Sequence, residues 1–376
     1  MLRKIFLAAI SVFLISSTAF AEKENSSYIL IEGKTRQIIK KENENLPLQI
    51  ASTTKIMTAI TAIENADLED IFTVSQNAQN QEGSSIYLRE GDKISVKDLL
   101  YGLMLNSGND AATALAEGVS GSVDAFAQLM NEKAQKIGCK NTNFKNPSGL
   151  NEAGHYSSAY DLALIMAYAM ENENFCEIVG TKRYNIDNCE SITYLKNHNK
   201  LLWQYEYCTG GKTGYTKLSG RCLVTTAEKD GIRLISVTLN NPDDWKMHKE
   251  LFEYGFGEVK NKEIIKKNSI LTTKIINGTK VNLIAGDDVK IPIISGKRAK
   301  ITGKIHLKER YSEIKIGDFL GYADVYLGEY PVAKVSVKSG QHVKKMPFMF
   351  IKRFIFKGTK KAEFKTVSFE LGVSYI

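Results

Sequence analysis

The spacing of apolar residues changes character near residue 262, and this change restricts the fold more than any other feature of the chain. Before it, the pattern mixes helices with short strands. Thr53 to Ile63 is rich in alanine, threonine and isoleucine, lacks glycine and proline, and reads as a buried helix. Lys97 to Leu105 and Asp110 to Glu117 read as helices separated by Asn106-Ser107-Gly108-Asn109. Val123 to Ile137 carries Phe126, Leu129, Met130 and Ala134 on one helical face, and Asp161 to Met170 is a further helix. Leu223 to Thr226 and Leu234 to Leu239 read as strands that turn at Asp230-Gly231. After residue 262, Val281/Leu283, Val289/Ile291/Ile293, Ile305/Leu307 and Val335/Val337 alternate with polar residues, the period of half-buried strands. The expected organisation is a mixed α/β domain over 22–262 and an all-β domain over 263–345, with the boundary in the lysine-rich stretch at 260–267. With 376 residues, 43% of them hydrophobic, the chain has enough apolar side chain for two cores.

The N-terminus reads as an address. Arg3 and Lys4 precede an apolar run from Ile5 to Ile15, and Ala19-Phe20-Ala21 supplies a small-residue cleavage site. The run is short for a membrane span, so a cleaved signal peptide over 1–21 is favoured over an uncleaved anchor. Export to the cell envelope is the expected localisation. Removing two of the 50 Lys+Arg leaves 48 against 42 Asp+Glu, a charge of +6 instead of +8. This bias is spread along the chain, and no arginine-rich block suits nucleic acid. The five cysteines, Cys139, Cys176, Cys189, Cys208 and Cys222, form no disulfide framework, and no cysteine or histidine pair has zinc-ligand spacing. Neither a metal nor an organic cofactor is expected.

Three short motifs carry the chemistry. Ser52-Thr53-Thr54-Lys55 places a hydroxyl and an amine one helical turn apart, where a neutral lysine can take the serine proton. Ser107-Gly108-Asn109 offers a second hydroxyl and an amide in a loop between helices. Lys212-Thr213-Gly214 follows Gly210-Gly211; on an edge strand it would seat a carboxylate, with the glycine allowing close approach of substrate backbone. Each is weak alone. Ser312-Glu313-Ile314-Lys315 also fits the first pattern, and Ser75-Gln76-Asn77 the second, where a capping serine is the ordinary alternative. Their order decides the matter, with 55 residues from Ser52 to Ser107 and 105 from Ser107 to Lys212.

With these motifs the chain resembles the penicillin-binding proteins and serine β-lactamases. It looks most like the low-molecular-mass D-alanyl-D-alanine carboxypeptidases. Asn146-Pro147-Ser148-Gly149-Leu150 and Gly154-His155-Tyr156-Ser157-Ser158-Ala159-Tyr160-Asp161 extend the likeness, which covers roughly residues 26 to 345. The resemblance implies an antiparallel sheet flanked by helices, followed by a β domain. It implies Ser52 as nucleophile, Lys55 as base and Ser107 as proton relay. Asn109 would orient the substrate, Lys212 and Thr213 would bind the terminal carboxylate, and Gly214 would line that strand. The backbone N–H groups of Ser52 and Tyr215 would form the oxyanion hole. The implied substrate is the peptidoglycan stem peptide, with β-lactams as covalent inhibitors.

A class A β-lactamase would need an E-x-x-L-N-type loop between Asn109 and Lys212, and none is present. A D-alanyl-D-alanine endopeptidase, or a non-catalytic penicillin-binding wall protein, remains as the alternative. Arg233 and Lys246 are equal choices for an additional carboxylate contact. At the C-terminus, Met346 to Lys357 mixes Phe348, Phe350, Phe354 and Phe356 with Lys352, Arg353 and Lys357, a composition suited to a membrane surface. The tail beyond alternates Val367, Phe369, Leu371, Val373 and Tyr375, as a strand would. Residues 346–376 are therefore read as a membrane-surface segment and tail, with a further β element as the alternative.

Overall fold

The computed structural model describes residues 25–186, 194–297, 299–308, 311, 313–344 and 365–374. The expected leader, Cys189, Ser312 and Met346 to Lys357 lie outside the described residues. The chain divides into two units: Met1–Gly33 with Ile38–Phe256, and Lys34–Gln37 with Gly257–Ile376.

The first unit begins with β1 (Ser27–Glu32), β2 (Ile38–Glu42), α1 (Lys55–Ile63), β3 (Ile71–Thr73), α2 (Gln76–Gln79) and β4 (Lys93–Ser95). Helices α3 (Val96–Leu105), α4 (Asn109–Ser120), α5 (Val123–Ile137), α6 (Ala159–Ala169) and α7 (Glu173–Gly180) follow. The ribbon of β5 (Arg183–Asn185) and β6 (Tyr194–Lys196) then leads to the single turn α8 (Leu201–Gln204). Strands β7 (Cys208–Thr216), β8 (Gly220–Lys229) and β9 (Ile232–Leu239) precede α9 (Asp244–Glu258).

Strands β2-β1-β9-β8-β7 form one antiparallel sheet with β7 at its edge. Helix α6 packs on β1 and β9. Gly255 of α9 lies so close to Leu30 and Leu234 that a Cβ there would fall within 3 Å of both side chains. Helix α1 is buried at every position but its last, as its lack of a polar face requires. It sits among α3, α4, α5 and α6. Each large aliphatic side chain it buries contributes on the order of 1.5–3 kcal/mol. Helix α5 has the bounds read from its period because both ends are signalled. Ser122 accepts from the Ala125 N–H, and Gly138 ends the helix at φ +99°.

The second unit pairs β10 (Val259–Ile265) with β13 (Val289–Ile294). Its larger sheet joins β11 (Ile270–Ile276), β12 (Thr279–Ala285), β14 (Ala299–Leu307), β15 (Phe319–Leu327), β16 (Tyr330–Ser339) and β17 (Lys365–Ser374) in the order β11-β12-β16-β15-β14-β17. Val281, Leu283, Ile291, Ile305, Val325 and Val337 fill the core, as their alternation indicates.

Three boundaries differ from the sequence reading. The lysine-rich stretch lies inside the second unit: buried Val259 and Ile265 bracket exposed lysines on β10, and that unit starts at Gly257. Residues 34–37 also belong to that unit, where the Arg36 guanidinium lies 4.9 Å from the Tyr330 ring centroid. The tail does not stay apart from the β domain. Strand β17 pairs along β14, from Leu307↔Lys365 to Ala299↔Ser374, as its alternation allows.

Candidate active site

Ala51–Thr54 forms one 3₁₀ turn that passes into α1 at Lys55. A 3₁₀ turn repeats every three residues, so Ser52 and Lys55 line up and the Lys55 Nζ donates to Ser52 Oγ at 3.0 Å. The turn is entered by Ala51 in the left-handed region, at φ +45°, a conformation costing on the order of 1–3 kcal/mol. Three contacts hold it. Thr54 Oγ1 donates to the Ala51 carbonyl at 2.9 Å and lies 2.9 Å from His155 Nε2. His155 Nδ1 accepts the Lys145 N–H at 3.1 Å, so the ring proton is on Nε2 and points at Thr54. Burial brings this imidazole down to about 4, which keeps it neutral. Gly149, at φ +82°, packs so tightly that a Cβ would fall 1.9 Å from the Ala51 oxygen.

Lys55 is fully buried. Its Nζ also donates to Asn109 Oδ1 at 2.7 Å and to the Ser148 carbonyl at 2.5 Å. Both acceptors are neutral. Burial, with the nearby Lys212 cation second, holds the Lys55 amine well below its ordinary range, against a smaller opposing pull from Asp110.

Helix α3 ends at Leu105, and α4 begins at Asn109. Ser107 turns between them at φ +63° and does not cap α4. Its Oγ instead accepts from Lys212 Nζ at 3.0 Å. Asn109 Nδ2 donates to the Glu82 carbonyl at 2.6 Å, so one amide group both orients Lys55 and closes the 82–84 loop over the site. Asp110 secures that loop by accepting from Ser85 Oγ and from the N–H groups of Ile86 and Leu88. The lookalike Ser75 is a helix cap, accepting from the Ala78 N–H at 3.0 Å.

Lys212 lies on edge strand β7, only 1% exposed, and burial pushes it down to about 7. Its Nζ also donates to the Thr213 carbonyl at 3.0 Å. Thr213 is partly exposed beside it, and the Tyr215 side chain projects into solvent. For Gly214 the structure adds a packing reason. A Cβ there would meet the Ile50 carbonyl, Ala51 Cβ and Ser52 N at 3.0–3.1 Å. The glycine lets β7 approach the Ser52 turn closely.

The structure thus brings Ser52, Lys55 and Asn109 into one hydrogen-bonded chain, and Ser107 with Lys212 into a second beside it. Arg233 and Lys246 join neither. Arg233 pairs with Glu228 at 3.0 Å, and Lys246 lies 3.9 Å from Glu250 on the exposed face of α9. The sequence reading gave no role to Ser148, Gly149 and His155. Their only signal was membership in the strings that extend the likeness.

Comparison with known proteins agrees with this geometry. Residues 15–243 match the peptidase S11 model, D-alanyl-D-alanine carboxypeptidase, and residues 260–345 match the penicillin-binding protein 5 C-terminal domain. D-alanyl-D-alanine carboxypeptidase DacF of Bacillus subtilis is 32% identical over 352 residues, covering 90% of each chain. DacC of Escherichia coli is 30% identical, covering 87% of this chain and 88% of its own. Among solved structures, penicillin-binding protein 5 of Haemophilus influenzae superposes with a TM-score of 0.64 at 28% identity, over 85% of this chain and 97% of its own. The D-alanyl-D-alanine carboxypeptidase DacD of Francisella tularensis gives 0.61 at 26% identity, over 85% and 93%. Motif order, site geometry and these matches together place the chain in the D-alanyl-D-alanine carboxypeptidase family of serine peptidases.

Proposed function

We propose that the chain is an exported DD-carboxypeptidase that removes the terminal D-alanine of peptidoglycan stem pentapeptides through an acyl-serine. The observation that carries this reading is the buried Lys55 amine, 3.0 Å from Ser52 Oγ, with neutral oxygens as its other partners. An amine held neutral this way is a base for the serine proton.

Ser52 Oγ attacks the carbonyl carbon of the penultimate D-alanine while Lys55 Nζ takes its proton. The resulting oxyanion is received by the backbone N–H groups of Ser52 and Tyr215, the pair that the family resemblance implies. Losing one such donor typically costs about 10²–10³ in rate. The C–N bond then breaks, and the proton held by Lys55 passes through Ser107 Oγ to the departing amine, which leaves Lys55 neutral again. Lys212 and Thr213 hold the terminal carboxylate during both steps. Water next attacks the ester carbon, gives its proton to Lys55 and regenerates Ser52. A β-lactam acylates the same Oγ by opening its ring amide.

The test is D-alanine release from a synthetic stem pentapeptide, with and without penicillin, in wild type and Ser52→Ala. Release that disappears in the variant, together with a penicillin adduct on Ser52 alone, supports the reading. An adduct without release leaves a penicillin-binding protein. Export is checked by finding Glu22 as the N-terminal residue of the envelope fraction. Membrane-surface association is proposed for Met346 to Lys357 on composition.

A further inference from the structure

Strands β14, β15 and β16 lie inside the larger β sheet, and their outward face has a composition that the core does not explain. Together they hold Lys300, Lys304, Lys334 and Lys338 against a single acid, Asp324. Lys308 follows directly on the end of β14. Alternation turns Tyr322, Asp324 and Tyr326 away from buried Ala323, Val325 and Leu327. Register sets Asp324 between Lys304 and Lys334, and His306 Nε2 lies 3.0 Å from Asp324 Oδ2. At the rim, Lys338 has Asp287 for a neighbour, which accepts from Ser336 Oγ at 2.6 Å. Among the described residues, Lys304, Lys308 and Lys334 form no ion pair. Their ammonium groups lie over rings instead. Lys334 Nζ is 4.8 Å from the Tyr322 centroid, Lys308 Nζ 4.9 Å from Phe319 and Lys304 Nζ 5.2 Å from Tyr326. Phe319 and Tyr322 meet edge to face at 4.9 Å. These cations hold the rings upright without covering them. Tyr322 remains 46% exposed and Phe319 37%.

A lone exposed ring needs no account, but three rings grouped on one face mark a binding surface. Its composition selects the occupant. Lysine is depleted from protein–protein interfaces, so a second protein fits poorly. A bilayer would have to bury Asp324 and His306 together with the rings, at the cost of desolvating both. A small ligand needs concavity, whereas an open sheet surface accepts an extended chain. A sugar polymer that carries negative charge suits every group present. The rings offer flat apolar faces to the C–H faces of sugars. Asp324, His306 and the exposed Ser368 of β17 can exchange hydrogen bonds with hydroxyls, and the lysines can meet carboxylates.

We propose that the β14–β15–β16 face binds a carboxylate-bearing glycan strand, with Phe319, Tyr322 and Tyr326 stacking on its sugars and Lys304, Lys308 and Lys334 pairing with its carboxylates. The inference draws on the function proposed above for the identity of that strand, because peptidoglycan stem peptides are carried on one. The β domain then holds the polymer whose peptides the Ser52 site trims. The surface itself stands on its own residues.

The experiment measures co-sedimentation of the full chain with purified peptidoglycan. It compares wild type, the neutral variant Lys304→Gln/Lys334→Gln, the charge-keeping variant Lys304→Arg/Lys334→Arg and the ring variant Phe319→Thr/Tyr322→Thr. All four positions are exposed, and threonine keeps the strand preference. The apparent Kd should rise about tenfold in the neutral variant, from two exposed charge contacts, and recover in the charge-keeping one. The ring variant should weaken binding by a similar factor. If it also unfolds at lower temperature, the lysine pair decides. Added salt should weaken wild-type binding and affect the neutral variant much less. D-alanine release from a soluble stem pentapeptide should be unchanged in all four proteins. Polyglutamate, which offers carboxylates without sugars, should bind about tenfold more weakly than peptidoglycan. Equal peptidoglycan binding by wild type and the neutral variant overturns the proposal. So does polyglutamate or single-stranded DNA bound as tightly as peptidoglycan, which would reveal a patch for any polyanion. A wild type that releases no D-alanine, yet binds peptidoglycan and loses it in these variants, would sink the carboxypeptidase reading and support this one.

Discussion

Two lysines in this site are buried without a carboxylate among their hydrogen-bond partners, and the chemistry depends on the proton each one carries. Lys55 must be neutral to accept from Ser52, whereas Lys212 must be charged to seat a carboxylate. Their separation follows from surroundings. Both are lowered by burial, and Lys55 is lowered further by its neighbour's charge. Acylation should therefore rise with pH as Lys55 loses its proton. Replacing Lys212 by Gln removes the like charge, so the Lys55 pKa should rise and the acidic limb of the acylation profile should move to higher pH. Penicillin acylation rates measured across pH give the comparison, and an unmoved limb would show that the two amines are not coupled. The serine–lysine spacing was legible in the sequence because i and i+3 side chains must meet on a helix. The Ser148 carbonyl was not legible, since a backbone acceptor leaves no trace in residue type.

Among the elements, those with a strong period and capped ends were read correctly, α5 above all. The turns that position the site were harder to read. Ala51 and Ser107 adopt φ of +45° and +63°, which nothing in an alanine or serine announces. The glycines were visible only as letters, and nothing in the sequence showed that Gly214 also lets β7 approach the Ser52 turn. Gly149 offers the sharper test. Gly149→Ala adds a left-handed strain and drives a Cβ to 1.9 Å from the Ala51 carbonyl, so the Ser52 turn must move. Displacement of about 1 Å can cost on the order of 10²-fold in rate. Penicillin acylation should fall by that order, with a stability loss of about 1–3 kcal/mol. Gly121→Ala is the control. Its φ is +79°, but a Cβ there meets nothing within 4 Å. It should lose stability without losing acylation rate. Equal acylation by both variants would remove Gly149 from any positioning role.

At the scale of the whole molecule, the alternation after residue 262 announced the β domain, but it could not show which strands close it. Strand pairing is a long-range choice, and β17 returns to β14 from more than fifty residues further along the chain. This changes how the proposed membrane segment must be tested. Removing everything after Lys345 would delete an edge strand as well as Met346 to Lys357. Phe369 of β17 is buried over Gly303 of β14, where a Cβ would fall 2.1 Å from its ring. Truncation should therefore expose the ladder of β14 and destabilise the β domain whether or not a bilayer is present. The cleaner change is Phe348, Phe350, Phe354 and Phe356 to Ser, which keeps β17 in the chain. Losing four aromatic side chains should abolish sedimentation with anionic vesicles while thermal unfolding stays unchanged. Added salt should weaken the wild-type interaction through Lys352, Arg353 and Lys357. Undiminished vesicle binding by the four-serine variant would exclude this segment as the anchor. Unfolding at lower temperature by that variant would show that the phenylalanines belong to the β-domain core instead.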